Sequence, residues 1–170
     1  MTTATTTPIR IYAACLASYN AGRLHGAWLD VTGDADELQS GIDRMLDCSP
    51  EPDAEEWAIH DFEAPGFDIE EYESVTDLAR LAELHEEHGD EFAAAYKLYG
   101  NVSDAESALD RYCGAYHGWL DMAEQYADDG LLGDIPEQLL RYFDYDAFAR
   151  DLKHEHDGVH IGAMLHVFSW

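Results

Sequence analysis

The hydrophobic pattern changes period several times along the chain, and each change marks an element. Residues Ile9 to Ala17 (IRIYAACLA) are rich in small and β-favouring side chains with partial alternation, which predicts a strand followed by a turn at SYNAG. Arg23 to Val31 (RLHGAWLDV) reads as a second strand of the same sheet. Asp34 to Cys48 places Leu38, Ile42, Met45 and Leu46 at helical spacing with acids opposite, and Asp34 or Asp36 is available as the cap. SPEPDAE is a loop, and the alternation of Trp57 and Ile59 with Ala58 and His60 predicts a returning strand in EWAIHDFE. These elements make an N-terminal α+β subdomain over residues 9–63, an antiparallel sheet with one helix.

After Pro65-Gly66 the period becomes 3.6. Ile69, Tyr72, Val75, Leu78, Leu81 and Leu84 mark a buried stripe, and Gly89 breaks the run. DEFAAAYKLY predicts a short helix, and Ser103 is placed to cap the next, which carries Ala105, Ala108, Leu109 and Tyr112. A central helical subdomain therefore covers residues 64–103. RYCGAYHGWL returns to strand, Trp119 to Ala127 is helical, and DDG is a turn. Pro136 suits the first turn of PEQLLRYF, and DYDAFARDLKHE continues helically with Tyr145, Phe148 and Leu152 inside. HEHDGVHIGAMLHVFSW alternates as a closing strand region, with HEHD at the strand entrance and Asp157-Gly158 as a turn. Residues 104–170 thus form a C-terminal α+β subdomain, and the fold class is α+β in three small subdomains.

Charge changes the picture. The chain carries a formal net charge of −27, yet 46% of its residues are hydrophobic, a globular composition. From Glu51 to Glu91 sixteen carboxylates face one cation, Arg80. Such a block normally predicts disorder, because self-repulsion opposes collapse. Here Trp57, Ile59, Phe62, Phe67, Ile69 and the leucines of the helical stripe are threaded through it, so the acids coat a core. Acids continue from Asp30 to Asp157, and none precedes Asp30. This field opposes binding to nucleic acid or an anionic membrane and favours cations or basic proteins. Cys15, Cys48 and Cys113 are odd in number, widely spaced and without a CxxC, which fits a reducing cytoplasm. Residues 1–8 (MTTATTTP) read as a disordered leader without the features of a signal peptide, and no apolar run reaches membrane-spanning length.

Few motifs carry chemistry. HEEH at His85 to His88 spaces its histidines three apart, unlike the HExxH of zinc enzymes, and no third ligand is indicated. Carboxylate pairs are too abundant to single out a catalytic one. There is no EF-hand spacing, P-loop, GxGxxG or GxSxG. The expectation is a protein without metal, cofactor or catalytic residues. The alternatives from other classes are a metal-dependent enzyme using HEEH or a carboxylate pair, and an acidic chaperone of basic proteins.

YNAGRLHGAWLD (Tyr19 to Asp30) and EEWAIHDFE (Glu55 to Glu63) resemble the signature segments of the ArdA antirestriction family, and IPEQLLRYFDYDAFARDL (Ile135 to Leu152) is similar to its C-terminal portion. The resemblance implies an elongated, curved α+β protein that dimerises through its C-terminal part. It implies a DNA mimic that occupies the DNA-binding groove of type I restriction-modification enzymes in a bacterial host. On this reading the carboxylates standing in for phosphates are Asp61, Glu63, Asp68, Glu70, Glu71, Glu73, Asp77, Glu83, Glu86, Glu87, Asp90, Glu91, Asp104, Glu106 and Asp110. The dimer interface implied by the family falls around Tyr116 to Leu132, with Tyr116, Trp119, Leu131 and Leu132 as its candidates. The magnitudes agree with mimicry. Two chains at −27 each carry the charge of roughly 90 Å of duplex, which has one charge per roughly 1.7 Å of axis.

Overall fold

The structure is a computed structural model that describes residues 8–170. The leader expected at residues 1–8 lies outside the described residues apart from Pro8. The chain divides into two compact units, Met1–Gly89 and Asp90–Trp170. Each is built on a three-stranded antiparallel sheet with helices, so the α+β class read from the sequence holds.

In the first unit β1 (Ile9–Cys15) is the central strand, flanked by β2 (Gly26–Val31) and β3 (Trp57–Glu63). Strand alternation decides what is buried: Ile9, Ile11, Ala13 and Cys15 enter the core, while Arg10 and Tyr12 lie on the other face. The turn expected at SYNAG contains a single helical turn, α1 (Leu16–Asn20), before the chain reverses. α2 (Ala35–Asp47) and α3 (Val75–His88) pack on the sheet through Leu38, Ile42, Met45, Leu78 and Leu81. Asp34, not Asp36, caps α2, its carboxylate accepting from the backbone N–H groups of Asp36 and Glu37 at 3.0 and 3.1 Å.

The helical period expected from Ile69 begins only at Val75. Phe67 and Ile69 are buried but Tyr72 is 70% exposed, so the apolar residues before Val75 share no helical face. Their segment runs beside β3 instead, where the Ile59 N–H donates to the Glu71 carbonyl at 2.9 Å. Ser74 then starts α3. Its hydroxyl accepts from the Asp77 N–H at 3.0 Å and donates to the Asp77 carboxylate at 2.7 Å.

In the second unit β4 (Tyr112–Tyr116) and β5 (His156–Ile161) flank β6 (Met164–Ser169). Leu165, His166, Val167 and Phe168 are all buried, so β6 is covered on both faces. The helices are α4 (Asp90–Tyr99), α5 (Val102–Leu109), α6 (Trp119–Asp128), the short α7 (Glu137–Leu140) and α8 (Tyr145–Glu155). Leu165 and Val167 join Tyr116, Met122, Ala149 and Leu152 in a core shared with α6 and α8. Phe168 instead meets the rings of Tyr99 and Tyr112, at 6.4 and 5.2 Å between centroids.

Four local expectations change here. Asn101 rather than Ser103 caps α5, with its amide oxygen accepting from the Asp104 N–H at 2.9 Å and its Nδ2 donating to the Asp104 carboxylate at 2.7 Å. Tyr112, expected on that helix, opens β4. The helix from Pro136 stops after Leu140 and restarts at Tyr145 under an Asp144 cap. Asp157-Gly158 lies inside β5, and the chain reverses at Gly162, whose φ is +57°. Gly158 serves packing: a Cβ there would stand 2.6 Å from Cζ2 of Trp119.

The buried His166 yields a pH prediction. Its Nδ1 shares a hydrogen bond with the Tyr112 hydroxyl at 2.9 Å. Burial lowers the imidazole below its ordinary 6.5, opposed by the Asp90 carboxylate, while burial first and then Glu91 push the Tyr112 phenol up to about 12. Unfolded His166 accepts its proton near 6.5 and folded His166 resists it, so its stabilisation is complete above 6.5 and is lost as pH falls through the lower folded value. Acid also neutralises carboxylates and relieves their repulsion, so the comparison must be differential. Unfolding free energies of the wild type and His166→Gln between pH 7 and pH 5 should converge on acidification, and parallel curves would refute the assignment.

Candidate functional site

The candidate site is the set of carboxylates that the two units hold outward. In the first unit Asp61 and Glu63 stand on β3. Asp68, Glu70, Glu71 and Glu73 follow on the segment beside it, and Asp77, Glu83, Glu86 and Glu87 on α3. In the second, Asp90 and Glu91 open α4, Asp104 and Glu106 lie in α5, and Asp110 follows its last turn. All are exposed except Glu73, Glu91 and Glu106, which are half-buried. The apolar stripe fixes their direction. Because Leu78, Leu81 and Leu84 are locked in the core, α3 cannot rotate, and Glu83 faces water with Glu86 and Glu87 about 5–6 Å away on the same helix face.

Several of these acids also have structural work. Asp77 and Asp104 complete the reciprocal caps of α3 and α5. The spacings S-x-x-D at Ser74 and N-x-x-D at Asn101 are the sequence signal for that role. Arg10, on the central strand, reaches Asp30 at 3.0 Å and Glu63 at 3.5 Å, with its guanidinium 5.4 Å from the Trp28 ring centre. Glu83 pairs with Arg80 at 2.6 Å. Such exposed pairs contribute little to stability. Glu73 is the weakest phosphate surrogate: burial, then Asp77 and Glu70, hold its carboxyl above the usual range.

Comparable acids stand outside the expected set. Asp36, Asp43 and Asp47 on α2, with Glu124 and Asp128 on α6, are exposed opposite their helices' apolar stripes, legible by the same periodicity. Asp121 accepts from the His117 N–H at 2.8 Å and from Gln125 at 3.1 Å, which holds its carboxyl below the usual range.

The four interface candidates separate. Tyr116 is buried in its own unit, its hydroxyl donating to the Cys113 carbonyl at 3.0 Å and its phenol pushed up to about 12, chiefly by burial. Trp119 packs half-buried against the same core. Leu131 is exposed and Leu132 half-buried. Leu139, Tyr142 and Trp170 are also exposed. In HEEH, the His85 and Phe67 rings meet edge to face with centres 4.8 Å apart, whereas His88 lies 3.9 Å from Glu87. Among the described residues no three His, Cys, Asp or Glu side chains converge as a metal site, and no helix is long and apolar enough to cross a membrane.

Two mixed α+β units that direct carboxylates outward from apolar cores define an acidic α+β protein. The chain belongs to the ArdA family: the model described as Antirestriction protein (ArdA) matches residues 11–163. Membership makes antirestriction its function and restriction enzymes, in general, its partners. No individual curated protein matches the chain.

Proposed function

We propose that the chain is a non-catalytic DNA mimic that occupies the DNA-binding groove in the methyltransferase core of a type I restriction-modification enzyme. The observation that carries this reading is the placement of Glu83, Glu86 and Glu87 on a helix whose opposite face is fixed in the core, so the charge is in position before the partner arrives. A groove that attracts phosphates with Lys and Arg attracts this surface through the same field. No base edge is involved, so inhibition is independent of the enzyme's recognition sequence, and occupation of the core blocks modification together with restriction. The protein acts in the bacterial cytoplasm as a homodimer, with Leu131, Leu139 and Tyr142 among the exposed apolar side chains available to a second copy.

Purified protein is expected to displace DNA from a type I methyltransferase core whatever the target sequence, and its direct binding to the core, measured without DNA, should weaken between roughly 50 mM and 200 mM salt. Sedimentation of the same preparation should give the dimer mass. No displacement at low salt would sink the mimic, and equally tight binding to a histone-like protein would favour the acidic chaperone instead.

A further inference from the structure

We propose that the cleft between the end of α1 and β3 is a socket for a guanidinium group, an arginine side chain of the partner protein. The cleft has a volume of about 450 Å³, and neither Lys nor Arg lines it. Its walls are Tyr19 and His60, edge to face with ring centres 4.7 Å apart. Asp61 and Glu71 supply the charge, and the buried Ile59 and Ile69 supply the apolar floor.

The fold builds this arrangement deliberately enough to hold it in place. Pairing of β1 with β3 steps from Tyr12 opposite Asp61 to Ala13 opposite Ile59, leaving His60 without a partner in the register. Such a bulge re-aims a side chain, and His60 is turned out against Tyr19. The Ile59 N–H bond to the Glu71 carbonyl ties the segment bearing Glu71 to the strand. The Asp61 carboxylate is oriented by accepting from the Phe62 N–H at 2.9 Å. The nearby arginines of the unit are engaged elsewhere, Arg10 with Asp30 and Glu63, and Arg23 with Glu51 at 2.8 Å. Tyr19 is left 55% exposed.

Each part matches one part of an arginine. The planar guanidinium stacks on aromatic rings and forks to carboxylates, and the methylene stem covers apolar surface. An ammonium group matches the charge but not the stacking. The inference rests on the mimic reading, since a groove built for phosphates is where such arginines are presented.

The test removes the rings and keeps the charge. Tyr19→Ala combined with His60→Ala should compete with DNA for the methyltransferase core about tenfold less well than wild type, with an unchanged melting temperature. Equal competition by variant and wild type overturns the socket and leaves the mimic standing, whereas failure of the wild type overturns the mimic itself. Independently, NMR titration of the wild-type protein with N-acetyl-arginine amide should give saturable shifts at Tyr19, His60, Asp61 and Glu71, weaker with N-acetyl-lysine amide. Absence of saturation, or equal response to both amides, overturns the guanidinium assignment even where the double variant fails to fold.

Discussion

Glutamine at Glu70, Glu83, Glu86 and Glu87 together is expected to leave the first unit folded and to weaken the displacement of DNA about a hundredfold. All four side chains are exposed, and glutamine keeps their size and one acceptor oxygen while removing the charge. Each exposed ion pair contributes roughly 0.2–1 kcal/mol, so four lost together amount to roughly 1–4 kcal/mol of binding, centred near two decades. Folding pulls the other way. The quadruple variant loses the Glu83 pair with Arg80 but also loses four charges from a unit with twenty carboxylates against four arginines. Its melting temperature should hold or rise. The charge-matched control neutralises Asp43, Asp47, Glu55 and Glu56, which are equally exposed but lie on α2 and in the loop before β3. Its competition should fall less than tenfold. Equal losses in the two variants would mean that total charge, not placement on α3 and the segment before it, controls inhibition.

That distinction matters because placement is the part of the site that the sequence shows least directly. The strands and helices were legible where one periodicity ran without interruption: the Leu38, Ile42, Met45 stripe with a cap at Asp34 or Asp36 predicts α2, and Leu78, Leu81 and Leu84 predict α3. The misreadings have specific physical causes. Ile69, Tyr72 and Val75 happen to fall at helical spacing, but Ile69 is buried by a segment lying along β3 and Tyr72 points to water. Asp157-Gly158 has turn chemistry, yet the glycine is required for the indole of Trp119, a contact made with a residue remote in sequence. Asn101 and Ser103 are both good caps, and only the backbone decides between them.

For the site, the number and sign of the charges follow from composition, and their outward direction follows from the apolar stripe on the opposite face. What each carboxylate additionally holds does not. The caps made by Asp77 and Asp104 are encoded three residues away and could be found by inspection. The ring pair of Tyr19 and His60 depends on a one-residue bulge in β3, which no hydrophobic pattern announces. Arg10 reads as an isolated cation in sequence, and becomes the bridge between Asp30 and Glu63 only because β1 is the central strand.

The dependence on β1 leads to the largest expected effect on stability, Gly26→Val, which should abolish cooperative folding of the first unit. Gly26 pairs with Ala14 where β2 begins, and a Cβ there would lie 2.5 Å from the Ala13 carbonyl oxygen and 2.8 Å from Cζ of the Tyr12 ring. The ring could swing aside, but the carbonyl belongs to the backbone of the central strand. Moving it opens the ladder to β2 or to β3. Overpacking of flexible side chains costs roughly 1–3 kcal/mol, and a clash with fixed backbone exceeds that, against a total stability of roughly 5–15 kcal/mol. Gly22→Ala is the contrasting case: its φ is +77° and the space around it is open, so only torsional strain of roughly 1–2 kcal/mol is expected. Thermal melts should therefore show a modestly lowered but cooperative transition for Gly22→Ala and none in the first unit for Gly26→Val. Adding Tyr12→Ser to Gly26→Val separates the two obstacles. No rescue is expected, because the carbonyl remains, whereas recovery of a cooperative melt would place the obstruction in the ring. Since Arg10 lies on β1 and Asp61 and Glu63 are carried by the strand paired to it, a first unit without this ladder should also lose the outward charge with which it competes for the enzyme.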